Sequence, residues 1–125
     1  MTVNTGERYV SDVYPSMTYS SQVFTAIETP TFSRQWPDYW SEDERGEFVA
    51  WLAVNPDVGD VIPGAGGCRK VRWSRPGKGK RGGVRVIHYN RLADGVIYLL
   101  LIYAKGARDT IEPKVLKKIQ EAING

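Results

Sequence analysis

The chain has 125 residues, 42% hydrophobic and 25% charged, with 17 Lys and Arg against 14 Asp and Glu. That size bounds it to one domain with one modest core, and no run of about 18 apolar residues marks a membrane span. A single cysteine, Cys68, excludes an intramolecular disulfide and a cysteine-based metal cluster, and a single histidine, His88, excludes two-histidine acid–base chemistry.

The charge is not evenly spread. Residues 1–60 carry three bases (Arg8, Arg34, Arg45) and ten acids, a net of −7. Residues 61–125 carry fourteen bases and four acids, a net of +10. The second half is therefore the candidate anion-binding half.

Residues 1–22 are polar, rich in Ser, Thr and Tyr, and lack periodicity; they read as a flexible extension ahead of a domain over 23–125. The start has neither the basic n-region nor the apolar h-region of a secretory signal, so the cytoplasm is the default compartment. VFTAIE (23–28) alternates and reads as a first strand. Thr29-Pro30 has the form of a helix start, with Thr as N-cap and Pro at the first helical position. That helix carries Phe32 and Trp36, four apart on one face, and Pro37 ends it. Ser41 with Glu44 three residues on has capping-box spacing, and Phe48, Val49, Leu52 and Ala53 share a face, predicting a helix over 42–54. Trp36, Trp40 and Trp51 read as packing residues. VGDVIPGAGG (58–67), with four glycines, reads as a loop without the ending of a P-loop.

The stretch Gly66–Tyr89 organises what remains. It holds Arg69, Lys70, Arg72, Arg75, Lys78, Lys80, Arg81 and Arg85, with no acid among them. CRKVRW (68–73) and VRVIHY (84–89) read as strands around a Gly/Pro/Lys loop over 74–83. A turn at Ala93-Asp94-Gly95 leads to VIYLLLIYA (96–104), a central strand covered on both faces for much of its length. A closing helix begins at Pro113, with Val115, Leu116, Ile119, Ala122 and Ile123 as its apolar stripe. The class is α+β: a small antiparallel (mixed) sheet with helices packed largely on one face, order β-α-α-β-β-β-α.

Strand period two sorts the cations. Lys70 and Arg72 share a face; Arg85 shares one with Ile87 and Tyr89; Tyr103 and Lys105 alternate with Ile102 and Ala104. If Lys70, Arg72, Arg85, Tyr103 and Lys105 all face away from the helices, they form one cluster, which Lys80 and Arg81 reach from the loop. A single bulge would reverse this sorting. The cluster holds no carboxylate, so it offers no oxygen cage for Mg²⁺, and no cofactor is called for. His88 falls on the core side, more a packing residue than a catalytic one. What remains is phosphate chemistry by cations: Arg grips phosphate oxygens bidentately and Lys acts as a point charge. RNA brings its own nucleophile, the 2′-OH, so geometry, charge stabilisation and proton transfer suffice. A Lys among like charges is one candidate base. Tyr103 can stack on a nucleobase or donate a hydrogen bond.

GDVIPGAGGCRKVRWSRPGKGKRGGVRVIHY followed by IYLLLIYAKGARD resembles the RelE-like toxins of bacterial toxin–antitoxin pairs, closest to the HigB branch, and ETPTFSRQW matches their start. The resemblance covers about residues 23–121. It implies a RelE fold and metal-independent, ribosome-dependent mRNA endoribonuclease activity that inhibits translation. It also implies neutralisation by a small antitoxin, commonly with a DNA-binding helix-turn-helix through which the pair reaches operator DNA. Lys70 and Arg72 match the basic pair on the family's second strand. Arg85 matches the third-strand arginine, implied to stabilise the phosphate transition state. Lys105 lies where the family often has a basic residue, and Lys80 and Arg81 match loop cations implied to touch ribosomal RNA or message. Arg69, Arg75 and Lys78 join that RNA-binding group by charge, while Tyr103 enters through strand parity alone. Two other readings stand beside the nuclease: a basic module that occupies RNA or the ribosome without cutting, and an inactive partner whose role is to bind an antitoxin.

Overall fold

The computed structural model describes residues 23–74, 83–106 and 111–125. The predicted extension (1–22) and the loop cations Arg75, Lys78, Lys80 and Arg81 lie outside the described residues. In chain order come β1 (Thr25–Glu28), α1 (Pro30–Gln35), a 3₁₀ turn (Trp36–Asp38), α2 (Glu42–Val54), β2 (Asp60–Val61), β3 (Arg69–Trp73), β4 (Val84–Arg91), β5 (Val96–Ala104) and α3 (Pro113–Asn124). The sheet order is β1-β5-β4-β3-β2. β1 runs parallel to β5 and every other pair is antiparallel. The α+β class and the element order agree with the sequence reading. β2 is an addition: two residues are too few to show a period, and the segment reads as loop.

The helix starts form as their caps dictate. Thr29 Oγ1 accepts from the Phe32 amide at 3.1 Å, with Pro30 in the first turn. Ser41 and Glu44 close the reciprocal capping box, at 3.2 and 2.9 Å. Arg45, on α2, pairs with Glu28 at the end of β1 and with Glu42, and its guanidinium lies 4.6 Å from the centre of the Trp36 ring. This one side chain ties α2 to β1 and to the 3₁₀ turn.

The sheet has a core on each face. On one, Phe32, Trp40, Phe48 and Leu52 from the first two helices and the turn pack on Val71, Val84, Val86, Ile97, Leu99 and Ile102. An aromatic chain runs through it: Phe32–Trp40, Trp40–Phe48, Phe48–Trp73 and Trp73–Trp51, with ring centres 4.9 to 6.3 Å apart. The tryptophans are packing residues, as their spacing predicts. On the other face, Leu116 of α3 is buried with Ala65, Cys68, Ile87, Leu100 and Leu101, flanked by Tyr89, Tyr98, Tyr103, Ile119 and Ile123. This corrects the expectation of helices on one face: α1 and α2 cover one side and α3 the other. The reason lies in β5, whose residues are apolar toward both faces, so each face requires cover.

β5 carries a bulge. Ile87 pairs with Leu101 and His88 with Leu99, leaving Leu100 as the extra residue. A bulge leaves backbone groups without ladder partners. Here two side chains of the adjoining segment serve that edge of β5. Thr29 Oγ1 donates to the Leu100 carbonyl at 3.1 Å, and the Ile102 amide donates to Gln35 Oε1 at 3.1 Å. Tyr98, Leu100, Leu101 and Tyr103 then belong to the α3 side, and Ile97, Leu99 and Ile102 to the other.

His88 is fully buried on the α1/α2 side. Its Nδ1 lies 2.9 Å from Asn90 Oδ1, and Asn90 Nδ2 donates to the Pro56 carbonyl at 2.6 Å. Nε2 lies 3.3 Å from the Val58 carbonyl. The pair thus holds the chain after α2 against β4. Burial pushes the imidazole pKa below its ordinary 6.5, only partly offset by the Asn90 and Val58 oxygens. The unfolded chain therefore binds a proton that the fold resists, and stability falls as pH drops through about 6.5 toward the folded value. Denaturant melts from about pH 8 downward should show this loss, and His88→Gln should flatten it across that window.

Candidate nucleic-acid interface

On β3, Val71 is buried in the α1/α2 core and Trp73 packs against it. Alternation then sends Lys70 and Arg72 to the opposite face, where both are exposed. On β4, Val84 and Val86 enter the same core, so Arg85 projects with Arg72. On β5 the Leu100 bulge reverses the alternation, and Tyr103 comes to that face too. The register makes the three direct neighbours: Arg72 pairs with Arg85, and Arg85 with Tyr103. Directly opposed side chains start about 4.5–5.5 Å apart at Cβ. Lys70 lies one pleat along, in a row with Ile87 and Leu101. Lys105 lies just past the strand end and is exposed, its amide donating to the Gly83 carbonyl at 3.2 Å.

Gly83 closes the basic loop onto β4. Its φ is 71°, and a Cβ there would collide with the Trp73 carbonyl and the Ser74 hydroxyl. Only glycine admits this close approach, which sets the start of β4 beside the end of β3.

The geometry thus brings Lys70, Arg72, Arg85 and Tyr103 to one face, with Lys105 at its end. It does not bring Arg69 there. Arg69 lies on the other face and its Nη1 donates to the carbonyls of Asp57 (2.8 Å) and Gly59 (3.3 Å), bracing the chain that enters β2. His88 is also on that other face. Two features of the site escape the sequence reading. Asp60 of β2 stands opposite Lys70, so a carboxylate does lie on this face, although the two form no ion pair. The face is also only partly open, because α3 covers its Ile87–Leu101 end.

Tyr103 is half-buried. Burial raises the phenol pKa above its ordinary 10, and the nearby Arg85 charge lowers it by less. At neutral pH Tyr103 is a protonated donor. Cys68 is a core thiol: buried against the Leu116 carbonyl at 3.9 Å, with its pKa pushed up to about 11. Among the described residues no three His, Cys, Asp or Glu side chains gather as a metal-binding group. No helix among them is long and apolar enough to cross a membrane.

The pairing of Arg85 with Tyr103 has a direct signature. Ultraviolet titration of the phenols, with Tyr103→Phe identifying the Tyr103 component, should show its pKa rising further in Arg85→Ala. A pKa that does not move would place the guanidinium elsewhere.

No known protein family matches the sequence. Among solved structures, the chain is similar to an arginine-to-alanine double variant of the E. coli toxin RelE in its free state. The TM-score is 0.55 at 10% identity, over 79% of this chain and 97% of that one. At that identity the likeness concerns the fold alone, and the chain has a RelE-like fold.

Proposed function

We propose that the protein is the toxin of a toxin–antitoxin pair, of the HigB branch, and a ribosome-dependent mRNA endoribonuclease. The observation that carries the reading is the Arg72–Arg85–Tyr103 row on a RelE-like sheet. Two adjacent guanidiniums supply bidentate donors to the non-bridging oxygens of one phosphate. They stabilise charge as it builds in the pentavalent transition state, where preorganised donors have most effect. The message provides the nucleophile. Its O2′ bonds to phosphorus as the bond from phosphorus to O5′ breaks, leaving a 2′,3′-cyclic phosphate and a 5′-hydroxyl end. The 2′-OH loses its proton and the departing O5′ gains one. Tyr103, held protonated, is suited to donate rather than accept, by hydrogen bond or as acid to the leaving oxygen. Lys70 and Lys105 hold neighbouring charge, and Arg75, Lys78, Lys80 and Arg81 are assigned to RNA or ribosome contact, while Arg69 braces the far face. In this reading the protein acts in the cytoplasm without a metal or other cofactor. A cognate antitoxin, a helix-turn-helix protein that also links the pair to operator DNA, neutralises it. The extension over 1–22 lies outside this machinery.

One observation favours a second reading, a basic protein that occupies RNA without cutting. The row contains no evident base: Tyr103 keeps its proton, and His88 is buried on the other face.

Mapping of mRNA 5′ ends in a translation extract separates the two. Purified chain should generate new ends only on message being translated. Arg85→Ala, folded as judged by circular dichroism, should lower the cleavage rate about 10²–10³-fold, the size of effect seen when one transition-state donor is removed. Stalled translation without new ends would support the binding reading, and full cleavage by Arg85→Ala would remove Arg85 from the chemistry.

A further inference from the structure

A strongly charged surface remains on the outer side of α3. Lys114, Lys117 and Lys118 fall in its first six residues and all are exposed. Helix stability does not call for cations there. The positive end of a helix dipole favours acidic side chains, as α2 illustrates with Glu42, Asp43 and Glu44. The first turn of α3 has no acidic residue. Glu112 stands 3.7 Å from Lys114, but both are exposed and such pairs contribute little in water. Lys117 and Lys118 have no ionic partner among the described residues.

The position of α3 gives these lysines their meaning. The helix lies on the same face of the sheet as Lys70, Arg72 and Arg85. A Cβ on Gly66 would stand 3.3 Å from Lys117 Cγ, so that side chain leans beside the loop entering β3. The buried contact of Leu116 with Cys68 fixes the level of α3 against β3. Arg72 is four residues along from Cys68, roughly 13 Å at about 3.3 Å per residue. At the opposite end, Arg91 Nη1 donates to the Ile123 carbonyl at 3.0 Å, near the β4–β5 turn. The lysine-bearing half of α3 is therefore the half nearer the Arg72–Arg85–Tyr103 row.

We propose that Lys114, Lys117 and Lys118 extend the cation row into a track for the ribose–phosphate backbone of the same single RNA strand, holding nucleotides that flank the reactive phosphate. This rests on the sheet face being an RNA surface and adds the direction in which the strand leaves it. The track is sequence-neutral, because lysines on a helix exterior meet phosphates rather than base edges.

The test is fluorescence anisotropy of an unstructured single-stranded RNA oligonucleotide titrated with the full chain across a salt series. Each phosphate neutralised on a single strand adds about 0.7 to the steepness of log K against log salt. Joint replacement of the three lysines by Gln should weaken binding and reduce the slope by about 2, while joint replacement by Arg retains it. Arg34→Gln, exposed on α1 across the sheet, should leave the slope alone. If the triple Gln variant loses its circular dichroism, Lys117→Gln and Lys118→Gln taken singly should each reduce the slope by about 0.7. An unchanged slope in folded Gln variants overturns the proposal, as does an Arg34→Gln effect as large as one lysine's. Arg72→Gln with Arg85→Gln reports on the underlying reading separately. If that variant loses affinity while the lysine variants do not, the track fails and the RNA face stands. If the unaltered chain binds without salt dependence, both fail.

Discussion

The extra residue at Leu100 is the constraint on which the arrangement turns. Regular alternation through β5 would put Tyr103 on the same side as Ile97 and Leu99, inside the α1/α2 core. One inserted residue reverses the strand's second half, setting Ile102 into that core and Tyr103 beside Arg85. The bulge persists because the segment after β1 fits its backbone. Thr29, while capping α1, also donates to the Leu100 carbonyl, and Gln35 at the end of α1 accepts from the Ile102 amide. Buried backbone groups without such partners cost about 1–3 kcal/mol each. The short α1 therefore does more than pack: its two ends make an irregular β5 stable, and the irregular β5 places the phenol.

The same strand explains the layering. With Ile97, Leu99 and Ile102 on one side and Leu100 and Leu101 on the other, β5 requires a helix layer on each face. α1 and α2 cover one side, and α2 carries Glu42, Asp43, Glu44 and Glu47. α3 carries Lys114, Lys117 and Lys118 and covers the other. The charge asymmetry of the sequence thus becomes an asymmetry between the two faces of the molecule. Arg72 and Arg85 lie directly opposite one another, an arrangement of like charges that disfavours strand pairing. A polyanion on that face would offset the repulsion.

Much of this is legible in the sequence, where local rules act alone. The capping residues of α1 and α2 lie within three or four positions of what they cap, and both helices start where those residues say. Lys70 with Arg72, and Arg85 with Ile87, can be sorted because β3 and β4 are regular. Tyr103 joins them only through the bulge, which no period in VIYLLLIYA reveals, because apolar residues occupy both faces. The face taken by α3 is equally hidden. Its stripe of Leu116, Ile119 and Ile123 fits any apolar surface, and the continuous apolar run of β5 is the one hint that two layers are needed. Asp60 escapes notice because β2 is too short to alternate. Arg69 shows the reverse error: charge places it with its neighbours, but parity turns it to the far face to brace the Asp57–Gly59 backbone.

The central claim is that Arg72, Arg85 and Tyr103 form one receptor for one RNA phosphate. Nuclear magnetic resonance observes it directly, by following arginine Nε–Hε and tyrosine ring signals while a short unstructured RNA, 2′-O-methylated throughout to prevent cleavage, is added. The account predicts that signals of Arg72, Arg85 and Tyr103 move together with a single affinity, while Arg34 and Arg45 on the α1/α2 side stay still. Movement centred on Arg34 or Arg45, or movement of Arg72 and Arg85 that leaves Tyr103 unchanged, would contradict it.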